Sequence, residues 1–195
     1  MNGIYAKILV VLILVALGLA TVWALRTKNR SLRSRPPETA EYHELRKQVL
    51  RGTRAQFGLA PEPKSTAPWG VVMDWGIDNR VVTVVALSDG SASLYYSSGG
   101  GLIGGGQSHD SVRKAAKKAV AIASEVQGEL KRTSNFSLPG AGEVRFYLLT
   151  DVGVFYGHAS VADLSSGRAE LSKLGNAMQT LITECMRVGQ PKSGT

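Results

Sequence analysis

The residues best placed to do chemistry lie between 99 and 109. The run Gly99-Gly100-Gly101-Leu102-Ile103-Gly104-Gly105-Gly106-Gln107-Ser108-His109 has six glycines among its first eight positions. From Gly101 to Ser108 the spacing matches a phosphate-binding loop, a glycine-rich turn that ends in Lys followed by Ser or Thr. Such loops hold anions on free backbone N–H groups at a helix N-terminus. Here Gln107 stands where that lysine would reach the phosphates. The segment before the loop reads as the end of an antiparallel meander, whereas phosphate-binding loops sit in parallel βαβ units. A nucleotide- or phosphate-ligand-binding domain, with hydrolase chemistry open to it, is therefore the alternative reading. The favoured reading is conformational. Glycines permit positive φ and close backbone approach, and ordering them is entropically costly. A mobile loop with Leu102 and Ile103 as its apolar tip is expected to contact a partner.

No catalytic constellation accompanies the loop. His43, His109 and His158 fall in three different elements, with no Cys or carboxylate at ligand spacing beside them, so neither a metal nor a cofactor is expected. Ser97, Ser98 and Ser108 lack the Gly-x-Ser-x-Gly setting of a nucleophile elbow. Asp74, set in an apolar strand, is expected to face away from the tryptophans and bridge to a basic residue. Asp151 belongs to an Asp-x-Gly turn. Cys185 is the only cysteine, so no intrachain disulfide forms, and its place in an apolar stripe makes it a small buried hydrophobe.

These residues need a scaffold, and alternation and turn signals supply one. In Trp69–Trp75 the large residues alternate, as in a strand with one buried face. Arg80–Leu87 is nearly all apolar and reads as the central, doubly covered strand. Asp89-Gly90 marks a hairpin into Ala92–Ser97. Residues 110–131 form a helix with Val112, Ala116, Ala119, Ala123, Val126 and Leu130 on its apolar stripe. Arg113, Lys114, Lys117 and Lys118 make its solvated face. Val144–Thr150 and Val154–Val161 are two more strands, joined by a turn at Thr150–Gly153. A last helix runs from about Ser165 to Arg187, with Leu171, Leu174, Met178, Leu181 and Cys185 inward. The predicted class is α+β, a largely antiparallel five-stranded sheet packed with helices in the order α-βββ-α-ββ-α. Over residues 69–188 this order resembles the profilin-like and roadblock-like α+β architectures.

The N-terminal third reads differently. Residues 8–25 carry no charge, and eighteen residues make roughly 27 Å of helix, enough to cross the hydrocarbon core. Residues 1–25 are read as an uncleaved transmembrane signal anchor. The alternative is a cleaved signal peptide, with trimming near Ala20 or Ala24 and a periplasmic or secreted domain. Residues 26–37 form a basic juxtamembrane segment in which Arg26, Lys28, Arg30, Arg33 and Arg35 face lipid. Residues 38–57 hold an amphipathic helix with Tyr42, Leu45 and Val49 as its stripe and Glu41, Glu44, Arg46, Lys47 and Arg51 on its other faces. Residues 58–68 are a proline-rich linker, and 189–195 a tail.

Charge fixes the expected sidedness. The formal net charge is +8. Residues 26–57 hold nine Lys/Arg against three Glu, whereas residues 58–195 hold thirteen against twelve Asp/Glu. The globular part is nearly neutral, which argues against nucleic-acid binding. With the basic cluster after the span, the N-terminus is expected outside and the C-terminal domain in the cytoplasm. The expected protein is a membrane-tethered, non-enzymatic interaction or scaffold module. Its partner would be another protein or a second copy of the chain.

Overall fold

The computed structural model describes residues 38–62 and 65–189. The apolar run 8–25, the basic residues 26–35 and the tail beyond 189 lie outside them. Among the described residues no helix is long and apolar enough to cross a membrane.

Residues 38–189 form an α+β domain built on one antiparallel sheet. The strands are β1 (Gly70–Ile77), β2 (Arg80–Leu87), β3 (Ala92–Tyr96), β4 (Gly101–Leu102), β5 (Lys131–Thr133), β6 (Glu143–Thr150) and β7 (Gly153–Ser160). They lie in the order β4-β3-β2-β1-β6-β7-β5. The helices are α1 (Ala40–Arg51), α2 (Gly105–Ser108), α3 (Asp110–Val126), α4 (Val161–Ser166) and α5 (Ser172–Gly189). The sheet thus has seven strands, where periodicity gave five. The two extra strands, β4 and β5, are two and three residues long, too short to show an alternation. The single last helix of the sequence reading is two, α4 and α5, separated where Gly167 takes φ 72°.

Tight turns set the register. Asp78-Asn79 joins β1 to β2, so that Ile77 faces Arg80 and Asp74 faces Thr83. Between β2 and β3 the longer loop Ser88-Asp89-Gly90-Ser91 does this: Gly90 takes φ 94°, its N–H donates to Leu87 O at 2.9 Å, and Leu87 N donates to Ser91 O at 2.9 Å. Asp151-Val152 joins β6 to β7, with Thr150 opposite Gly153. Asp78, at φ 51°, and Gly90 supply the positive φ that tight hairpins demand.

Both faces of the sheet are covered. On one, Val71, Met73, Val84, Leu94, Phe146 and Leu148 pack under α3 and α5. Ala116, Ala119 and Ala123 are fully buried there; small side chains let the α3 backbone approach the strands closely. On the other face Val72, Val85, Leu87, Tyr95 and Tyr147 meet Tyr42, Val49 and Leu50 of α1. In the strand order the centre is β1, not β2, and both strands are buried on both faces, as expected for Arg80–Leu87. Trp69 departs from the expected alternation: it precedes the strand and packs on the α1 side.

Candidate functional site

The glycine-rich segment follows a defined path at the β3 edge of the sheet. After β3, Gly99 N donates to Tyr96 O at 2.8 Å and Tyr96 N to Gly100 O at 3.1 Å. That turn sends Gly101 and Leu102 back beside Tyr95 and Leu94 as β4. A Cβ on Gly101 would lie 2.0 Å from Leu94 O, so only glycine lets the two backbones pair here. Gly104, at φ 68°, opens α2. Gly106 is buried in α2, and a Cβ there would lie 1.8 Å from Gly90 O. Gly101 and Gly106 thus serve close backbone packing, while Gly100 and Gly104 have open space around them, and the segment runs through a hairpin and one helical turn.

This geometry bears on the anion reading. Gln107 N donates to Gly104 O at 3.1 Å, and Gly104 N reaches Ser93 Oγ at 3.4 Å. Those N–H groups are turned toward the chain itself. Ser108 and His109 are exposed. His109 precedes α3 without a side-chain capping bond. Arg113 donates to Gln107 O at 2.8 Å and pairs with Asp110 at 2.5 Å, so it spans the α2–α3 junction.

Leu102 and Ile103, read together as an apolar tip, part ways. Leu102 packs against the core beneath α3. Ile103 is 66% exposed, the most exposed large apolar side chain among the described residues. It sits over a groove between α1 and the β3 edge. One half of the groove, about 170 Å³, is lined by Thr39, Tyr42, Leu45, Tyr95 and Gly99–Gly101. The other, about 230 Å³, is lined by Leu45, Val49, Phe57, Leu87, Tyr95 and Gln107. Leu45, Tyr95 and Ile103 belong to both halves. The lining mixes apolar side chains with hydrogen-bonding groups such as Thr39, Tyr95 and Gln107. Burial pushes the Tyr95 phenol above its ordinary range, so it stays a neutral donor.

The α1 wall of this groove is held by a polar cluster missed in the sequence. Asp74 is fully buried and receives Arg46 Nε at 2.9 Å and Arg46 Nη2 at 2.5 Å. Thr83 Oγ1 donates to the other carboxylate oxygen at 2.5 Å, and the Tyr42 hydroxyl lies 2.9 Å from Thr83 Oγ1. Arg46 Nη1 donates to Phe136 O at 2.8 Å. Burial disfavours the charge on Arg46, but the Asp74 carboxylate outweighs it and raises the guanidinium pKa. Asp74 does bridge to a basic residue, as its setting suggested. Arg46 was placed on a solvent face and is instead buried. The available signals were an Asp inside Val-Val-Met-Asp-Trp and an Arg one turn after the stripe residue Tyr42. Asp151, at the β6–β7 turn, pairs with Arg54 at 3.1 Å.

The remaining candidates stay apart. His43 lies 2.9 Å from Glu38 on α1's exposed side. His158 stacks on Tyr156 with 5.7 Å between ring centres. Among the described residues no cluster of His, Cys, Asp and Glu could hold a metal ion. Lys114, Lys117 and Lys118 are exposed on α3. Cys185 is buried under the sheet. Comparison with family models, curated proteins and solved structures found no match.

Proposed function

We propose that this chain is a membrane-tethered, non-enzymatic protein-interaction module. Its contact surface is the Ile103 ridge and the groove between α1 and the β3 edge. Ile103 carries the reading: a branched apolar side chain is presented to solvent between β4, paired with β3, and α2, whose Gly106 packs against Gly90. A preformed ridge loses little entropy when it is buried. Covering the exposed two thirds of this isoleucine contributes about 1–2 kcal/mol, and every 1.4 kcal/mol is roughly tenfold in affinity. The tether is the apolar run 8–25, with the basic residues 26–35 against anionic headgroups. The domain lies on the cytoplasmic side. The partner is a protein or a second copy of this chain.

The test is competitive. Full-length chain is purified from membranes in mild detergent, as wild type and as Ile103→Asp, with Lys117→Asp as a surface control. A protein retained by wild type and by Lys117→Asp, and lost from Ile103→Asp, supports the reading. Equal retention by all three removes Ile103 from the interface. Light scattering on the same samples separates a second copy from a foreign partner.

A further inference from the structure

The sheet ends on β5, and β5 covers only part of β7. Its residues pair with Val154–Tyr156, while β7 runs on to Ser160. The chain reaches Lys131 from a short 3-10 helix, Gln127–Glu129, so it does not continue alongside β7. Beyond Ser160 the chain turns into α4. Gly157–Ser160 are therefore a bare sheet edge, about 13 Å long at the usual rise of a strand.

Register shows which groups are left open. Val161 N donates to Gly142 O at 2.9 Å, and the β6–β7 pairing is regular from Gly153 to Ser160. Backbone groups alternate in direction along a strand, so those of Gly157 and Ala159 face β6, and those of His158 and Ser160 face outward. Ser160 O, at the N-cap of α4, serves the first turn of that helix. The open groups are His158 N–H, His158 C=O and Ser160 N–H. Among the described residues, no backbone bond from a neighbouring segment reaches them. Edges are ordinarily guarded by proline, lysine or a covering loop, but Gly-His-Ala-Ser has neither proline nor lysine. An opening of about 790 Å³ lies against it, with Lys131 at one end and Ala169 and Leu171 on the helix side. Flanking charge nearly cancels: Glu129 and Glu170 stand against Lys131, beside the Asp163–Arg168 pair.

We propose that this edge receives an extended peptide segment of a partner protein, which adds a short strand beside β7. The occupant follows from the open groups. A donor, an acceptor and a second donor in the plane of the sheet match an extended main chain. An incoming residue opposite Gly157 or Ala159 points to the helix side, where Leu171 favours an apolar side chain, and its neighbours point the other way. A second copy offering the same edge would bring its own β5 against α4 of the first. The site lies at the sheet edge opposite β4 and Ile103, and it does not rest on the tethered reading.

Main-chain recognition tolerates many sequences, so a generic probe serves: an acetylated, amidated peptide of alternating valine and threonine, closed by a lysine at each end for solubility. It is titrated into the full chain in mild detergent, and amide exchange is read residue by residue. In the free chain, His158 and Ser160 should exchange roughly tenfold faster than Gly157 and Ala159. Millimolar peptide should slow them roughly tenfold. Ser160→Pro removes one outward N–H at a φ of −77°, which proline accepts. It should weaken binding roughly tenfold, as for one lost hydrogen bond. Ser160→Ala loses the α4 cap but keeps the N–H, and should bind as wild type does. Ile103→Asp should also bind as wild type does. Slow exchange at His158 and Ser160 in the free chain, unchanged exchange with millimolar peptide, or equal binding to Ser160→Pro overturns the proposal.

Discussion

Asp74 and Arg46 form a pair whose value to stability depends on which partner is removed. Both are buried, at 0% and 7% exposure. Removing the arginine alone leaves a carboxylate without its counter-charge, which typically costs 3–5 kcal/mol. Arg46→Met should therefore lower stability by about that much in urea titrations, whereas the double variant Arg46→Met/Asp74→Leu should recover most of it. Additive losses would show that the two side chains do not act as a pair. A second residue-scale effect concerns alkaline pH. Burial pushes the Cys185 thiol from 9.0 up to about 11, and burial also raises Tyr42, Tyr95 and Tyr147. A folded-state pKa above the unfolded one means that the native state keeps its proton longer. The stability so gained is complete below the unfolded values and is lost as pH climbs through the folded ones. Thermal melts should fall steeply above pH 9, and Cys185 should resist thiol reagents at neutral pH until the chain unfolds. Rapid labelling of the native protein would contradict its buried setting. At this scale the sequence was half legible. An Asp within an apolar strand announces a partner, but nothing local shows that a helix some thirty residues upstream supplies it, because that pairing exists only through the tertiary contact.

Among the elements, the long periodic ones were readable and the short ones were not. The α3 stripe from Val112 to Val126 and the α5 stripe from Leu174 to Cys185 are buried as their spacing implied, since a helical stripe repeats often enough to stand out. The two-residue β4 and three-residue β5 never repeat and declare themselves only through pairing. The glycine-rich segment is hard to read for a different reason. Glycine is required both in flexible loops and where backbones touch, and composition alone does not separate the two. The structure does, and makes a sharp contrast between positions. Gly106→Ala sets a methyl against Gly90 O and should cost about 1–3 kcal/mol, the range for overpacked sites. Gly101→Ala meets Leu94 O in the same way and should behave alike. Gly128 has open space around it, so Gly128→Ala should change stability by less than about 0.5 kcal/mol. Calorimetry on the three variants checks this; a tolerated alanine at 106 would mean that α2 is not packed against the β2–β3 turn.

On the proposed reading of the whole molecule, a tether and a domain have to work together. If the basic residues after the apolar run hold the C-terminal side in the cytoplasm, a cysteine at Ser98 should be shielded from an impermeant reagent in intact cells and react once the membrane is permeabilised. Labelling before permeabilisation would reverse the sidedness. On the same reading the nearly neutral domain would meet its partner through shape and apolar contact more than through charge. A tethered chain also searches for its partner at a raised effective concentration, so a modest ridge such as Ile103 suffices when the partner shares the membrane. The most direct measurement places a photo-crosslinking residue at 103 in the full-length chain, with a second at Met186, which is 51% exposed on α5, as the control. Irradiated membranes should yield a discrete protein adduct from position 103 and none from 186. Adducts of equal pattern from both positions, or none from 103, would contradict the interaction surface.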